Sequence, residues 1–199
     1  MLDEDAVVPP ELQHPRFVAV PLTAEVAALD YDAYLASPDV IRAHSDGRWP
    51  LDGFTIADDL EQVEQHWRDH QARRAFAFAL LTPARDEAVG CLYLNPLRDY
   101  VERVGASAPL VAALPPASSM VTFWLRQDQQ DTGLADEVVR AVDAWLLRDW
   151  SLDLHLFRVL PVERSSREAL ETCGLRRVDL DLPGEKRPYL WFGRLDPRS

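Results

Sequence analysis

The sequence has few cysteines, no long apolar run and no surplus of basic charge. Only Cys91 and Cys173 occur in 199 residues, which suggests neither a disulfide framework nor a zinc cluster. No apolar stretch approaches the roughly 20 residues that span a bilayer. The start, Met1-Leu2-Asp3-Glu4-Asp5, is acidic where a secretory leader would be basic and then apolar. A cytoplasmic protein with no membrane partner and no metal site is the expectation. The formal charge of −12 argues against nucleic acid as the main partner, because phosphate binding needs a basic surface. That charge has two readings, plain solubility and long-range attraction of a cationic amine.

What remains is ordinary globular composition. Hydrophobic residues make up 47% and charged residues 27%, enough for one domain with a substantial core. Residues 1–15, with Pro9-Pro10 and Pro15, read as a flexible arm, and residues 16–196 as a single domain. Phe17 to Leu22 reads as a strand. Thr23 suits the N-cap of a helix to Leu35, ended by Ser37-Pro38. Residues 43–54 look irregular. Thr55 and Asp58 are spaced for a capping box, and Ile56, Leu60, Val63 and Trp67 recur on one face of the helix that follows. Phe76–Leu81 and Ala88–Leu94 read as a hairpin of two strands. Residues 98–119, rich in Ala, Pro and Ser, read as a long loop.

Met120–Leu125 is a further strand. Leu134–Trp150 has the apolar spacing of a helix, and Leu152–Leu160 is a strand again, an order that implies parallel strands joined by a crossover. Ser165 and Glu168 suggest a second capping box, with Gly174 at the helix end. Leu175–Leu182 and Tyr189–Leu195 close the chain as strands. The sum is an α/β fold, a mixed sheet of about seven strands flanked by about four helices.

The turn before the helix at Leu134 carries the chemistry. Gly133 permits close backbone approach, and the first helix amides have no partner within the helix. Together they form a nest of donors at the positive end of the helix dipole, suited to a pyrophosphate. The pattern Gln130-x-x-Gly133-x-Ala135 resembles the signature of the GNAT N-acetyltransferases. The stretch from Ser166 to Leu175, with Leu170-Glu171 and Gly174, resembles the ending found in the branch that acetylates ribosomal-protein N-termini and in related small-molecule enzymes. The family's order of elements fits residues 17 to 195.

This resemblance implies a GNAT-like acyl-CoA N-acyltransferase fold with acetyl-CoA as co-substrate. Backbone groups of Leu125 and Arg126 would pair with the pantetheine arm. The segment Gln130, Asp131, Thr132, Gly133, Leu134, Ala135 would hold the pyrophosphate, with Ser166 and Arg167 near the adenine and phosphate end. Glu163 stands where the family often has an asparagine. The implied activity is direct acetyl transfer to a primary amine of a small molecule or peptide. A cationic acceptor and a homodimer are both left open.

The family's usual acid, a tyrosine on the last helix, is replaced by Leu170, and its usual base, a glutamate on the strand before the turn, by Thr122. His44 with Asp46 is the substitute pair, because a histidine beside a carboxylate accepts protons near neutral pH. Trp49, Tyr93 and Thr122 are the expected substrate contacts. His66 and His70 share metal-ligand spacing but read as a solvated helix face. His155 reads as a core or cleft residue. The missing Tyr and Glu support a second reading, a catalytically reduced acyl-CoA-binding sensor on the same fold. A splay between the two parallel strands would distinguish either from a domain that merely imitates the pattern.

Overall fold

The computed structural model describes residues 2, 5–45, 47–49 and 52–194. Strands β1 (Leu12–His14) and β2 (Phe17–Pro21) open the chain, so pairing begins inside the segment expected to be a loose arm. Helices α1 (Ala27–Leu35) and α2 (Pro38–His44) follow. Pro38 ends α1 as the sequence suggested, but it also occupies the first turn of α2, a helix the sequence did not suggest, whose last two residues, Ala43 and His44, fall in the stretch expected to be irregular.

Helix α3 (Ile56–Gln71) begins at the expected capping box: Asp58 N–H donates to Thr55 Oγ1, and Thr55 N–H donates to Asp58 Oδ2 at 2.8 Å. Its inner face is rotated from the expected one. Ile56 is 50% exposed, while Asp59 and Val63 are buried. His66 and His70 also turn inward, against Tyr93 and Phe76, and are not a solvated face.

Next come β3 (Phe76–Leu81) and β4 (Ala88–Pro96), then α4 (Leu97–Arg103) and α5 (Ala108–Ala113), then β5 (Ser118–Leu125). The long loop expected at 98–119 therefore holds two short helices. Ser107 caps α5 by accepting from Leu110 N–H, and a proline sits in its first turn. Helix α6 (Leu134–Asp149), β6 (Leu154–Val159), α7 (Arg164–Thr172), β7 (Arg176–Val178) and β8 (Leu190–Gly193) complete the order. Helix α7 has no side-chain cap; Glu168 accepts from Arg164 instead of closing a capping box with Ser165.

The described residues form one eight-stranded sheet, in the order β1-β2-β3-β4-β5-β6-β8-β7. Only β5 and β6 run parallel. Alternation along the strands builds two cores. Phe76, Phe78 and Leu80 of β3 face α6 and α7, while Ala77, Ala79 and Leu81 face α1, α2 and α3. No helix is long and apolar enough to cross a membrane.

Gly90 of β4 lies between Leu80 and Leu125, and a Cβ there would run into the Trp124 carbonyl oxygen. Gly90→Ala is expected to lower stability by about 1–3 kcal/mol through overpacking, read from urea unfolding midpoints.

Candidate active site

Strands β5 and β6 pair only at Ser118–Val121 against Leu154–Phe157. Beyond Val121 they part, and the edge of β5 from Thr122 to Leu125 faces an opening. The turn that follows β5 is held by Gln130, whose Nε2 donates to Leu125 O at 2.8 Å. Asp131 and Gly133 take left-handed backbone angles, φ 60° and 78°. Among the described residues, the amides of Asp131, Thr132 and Gly133 make no backbone hydrogen bond. A Cβ on Gly133 would meet nothing within 4 Å. The turn is thus an open cradle of N–H donors at the start of a 16-residue helix, the arrangement that suits a pyrophosphate.

A cavity of about 300 Å³ lies along this cradle, lined by Leu125, Gln130, Asp131, Glu163, Ser165 and Ser166, among others. Arg164 also lines it, a cation the sequence reading did not single out. Thr132, Gly133, Leu134 and Ala135 form the turn beside it. Arg126 N–H donates to Val89 O at 2.8 Å, so that amide belongs to the sheet. The Arg126 guanidinium pairs with Glu87 and Asp128. Arg167 is not among the lining residues; it lies beside Glu168 and Glu171.

A second cavity, about 180 Å³, opens between α1, α2, α3 and the sheet. Its walls are Tyr34, Trp49, Tyr93 and Trp124, and it also contains His44, His66, Asp30 and Asp59. Trp124 borders both cavities. His44 and Glu163 join them as well: His44 lines the second, Glu163 the first, and His44 Nδ1 lies 2.7 Å from Glu163 Oε1. Glu163 Oε2 accepts from Leu160 N–H at 2.7 Å, which fixes the carboxylate. Ser37 ties α2 to the cofactor side, accepting from Gln127 N–H at 3.0 Å. The expected partner Asp46 lies outside the described residues. Thr122 is buried opposite Tyr93 in the sheet.

Residues 16–176 match the acetyltransferase (GNAT) domain family. The chain belongs to that family. Solved structures share the fold. The ribosomal-protein-S5-alanine acetyltransferase from Vibrio fischeri aligns with TM-score 0.69 at 12% identity, over 94% of this chain and 97% of that one. An acetyltransferase from Salmonella typhimurium that modifies the N-terminal serine of ribosomal protein L7/L12 aligns with TM-score 0.66 at 12% identity, covering 92% and 96%. The Microcin C7 self immunity acetyltransferase, solved with acetyl-CoA and AMP, aligns with TM-score 0.63 at 12% identity, covering 92% and 94%. No curated protein matches the sequence.

Leu170, where the resemblance implied an acid would stand, is buried in the core with residues of α6. The unusual electrostatics lie in the second cavity. Burial pushes the Asp30 carboxyl up to about 6, against a hydrogen bond from the Cys91 thiol at 3.1 Å. Burial, and then repulsion from Asp30, pushes Asp59 up to about 7. Burial also raises Tyr34 to about 12, with Asp59 adding to it, and lowers His66. Asp30 and Asp59 were missed from sequence. Their signal was a carboxylate at a core-facing helical position: Asp30 between Ala27 and Ala33, Asp59 four residues before Val63.

A carboxylate with a raised folded-state pKa binds a proton that the unfolded chain has already released. The stability this contributes is present below about pH 3.8 and is lost as pH rises through about 7. Asp59→Asn is expected to flatten that decline. The variant should gain about 1–3 kcal/mol over the parent near pH 8 and less near pH 4.5, measured by urea unfolding at both pH values.

Proposed function

We propose that this acetyltransferase moves an acetyl group from acetyl-CoA directly to a primary amine of a small molecule or peptide. The observation that carries the proposal is the open Gly133 cradle, whose cavity meets the second cavity at Trp124 and at the His44–Glu163 pair. A neighbour of the same fold is solved with acetyl-CoA, which supports the same donor here. Acetyl-CoA supplies the activated acyl group. The amides of Asp131 to Ala135 bind its pyrophosphate, and Ser165, Ser166 and Arg164 border the nucleotide end.

An amine is mostly ammonium at neutral pH and attacks a thioester only after losing a proton. His44 stands where the cavities join and can accept that proton. Glu163 holds the ring in place and stabilises the imidazolium, as a carboxylate does beside a catalytic histidine. Trp124 and Tyr93, linked by a Trp124 Nε1 to Tyr93 hydroxyl bond of 3.3 Å, form the wall that keeps water from the acceptor.

A second reading, an acyl-CoA sensor without turnover, is favoured by Leu170 in the core and Thr122 buried in the sheet, since neither can transfer protons. Release of free CoA with a panel of amines decides between the two.

Calorimetry with acetyl-CoA tests the cofactor assignment. Gly133→Trp strains the left-handed backbone and fills the cradle, so a loss of affinity of about tenfold or more is expected; undiminished binding overturns it. His44→Ala tests the base. It should lower kcat by about 10²–10⁴, with acetyl-CoA affinity nearly unchanged. An unaltered kcat removes His44 from the reaction.

A further inference from the structure

We propose that the cavity between α1, α2 and α3 is a cation subsite, and that the preferred acceptor is an aliphatic diamine whose non-reacting ammonium is held by Asp30 and Asp59. The inference rests on the acetyltransferase reading above and names the acceptor class.

Asp30 and Asp59 are 6% and 5% exposed, yet both line the cavity. Asp59 Oδ2 is buried with no hydrogen-bond partner, and so is the Tyr34 hydroxyl. Asp30 Oδ1 accepts only from the Cys91 thiol, a weak donor. Among the described residues, no lysine or arginine lines the cavity. Two buried carboxylates therefore face a small space with no counter-charge, an arrangement that a bound cation completes. The charged or titratable groups around them are His44, His66, Tyr34, Tyr93 and Cys91.

The surrounding rings point the same way. Tyr34, Trp49, Tyr93 and Trp124 form the walls, and aromatic faces attract ammonium groups. Among the described residues no group of three or more His, Cys, Asp or Glu could hold a metal ion, and the aromatic walls favour an organic cation. A volume of about 180 Å³ suits an ammonium on an alkyl stem. The outer groove shares Trp49 and Gln62 with the cavity and presents Asp52, Asp58 and Glu61. Its one arginine, Arg68, is bonded to Gln65 and lies near Glu64, so the approach also favours cations.

The polarity of the bound diamine follows from which residues the cavities share. Trp124 borders both, and His44 is bonded to Glu163 of the cofactor cavity. Asp30 and Asp59 belong to the inner cavity alone. The reacting amine thus lies beside His44, and the second ammonium lies at the acid pair.

Calorimetry of the parent protein without acetyl-CoA, near pH 8, compares cadaverine with n-hexylamine, which has the same number of heavy atoms and one charge. Cadaverine should bind about tenfold tighter or better. In Asp59→Asn that preference should fall to about twofold, while acetyl-CoA affinity stays unchanged. Tyr34→Phe should weaken cadaverine alone. Near pH 6.5, cadaverine binding should release protons, seen as a heat that depends on the buffer's ionisation enthalpy. Equal binding of the two amines by the parent, or a preference that survives Asp59→Asn, overturns the subsite. Tight cadaverine binding without CoA release keeps the subsite and removes acetyl transfer. Equal kcat/KM for the two amines keeps acetyl transfer and removes the subsite.

Discussion

Strands β5 and β6 leave each other after four paired positions, and the cavity along the turn after β5 lies beyond that parting, lined by Trp124 and Leu125 on one side and Val162 to Ser166 on the other. β6 does not stop being a strand when it leaves β5. It pairs with β8 from Phe157 to Val159, so its backbone groups are satisfied on the other side. β5 is anchored along its whole length by β4, from Gly90 opposite Leu125 to Pro96 opposite Ser119. Each strand therefore has an independent partner that holds it away from the other, and the opening costs no buried, unpaired ladder on those outer sides. Helix α6 starts at the end of β5, so its unpaired amides and the positive end of its dipole stand at the mouth of the opening.

The same protein contains two kinds of buried carboxylate, and the contrast bears on function. Asp143 of α6 is buried, but His155 Nε2 lies 2.8 Å from its Oδ1 and Arg194 Nε donates to its Oδ2 at 2.9 Å. Burial alone would raise its pKa; those hydrogen bonds outweigh it and hold the group below its ordinary value. This is how a structural acid is accommodated, and it ties β6 to the end of the chain. Asp30 and Asp59 have no such partners, and both are raised. The fold thus gives one buried acid charged and hydrogen-bonded partners and leaves two others facing a cavity. Unsatisfied, perturbed groups concentrated in a cleft are the pattern of sites that bind.

Legibility in the sequence follows the range of the interaction. The Gln130–Ala135 turn was readable because glycine, helix start and flanking strand are all local. Seven of the eight strands were readable, mostly as apolar runs bounded by turns, β1 in the expected loose arm being the exception. The capping box at Thr55 was readable from a three-residue spacing. The helices α4 and α5 were not, because at seven and six residues each is under two turns long and too short to show a helical period. The inner face of α3 was misjudged by trusting apolar residues: Ile56 is exposed, and Asp59 takes the core-facing place. The carboxylate beside His44 lies 119 residues away, at Glu163, a distance at which spacing carries no information. Glu163 was noticed only as a departure from the family's asparagine, and its pairing supplies a physical reason for that departure.

The two halves of the site also differ in how freely they can vary. The half proposed for the cofactor is made of backbone: amides, the left-handed Asp131 and Gly133, and a strand edge. Such donors belong to the backbone and not to particular side chains, and the fold itself is shared at 12% identity. The half proposed for the acceptor is made of side chains: Asp30, Tyr34, His44, Asp59 and His66 from α1, α2 and α3, with Trp49 from the segment after α2 and Tyr93 and Trp124 from the sheet. Exchanging Asp30, Tyr34, Trp49 or Asp59 would rebuild the acceptor pocket without disturbing the parting of β5 and β6. In this chain the cavity is lined by two helix carboxylates and by aromatic rings from helix, loop and sheet, a lining whose chemistry matches an alkylammonium better than a neutral or anionic group.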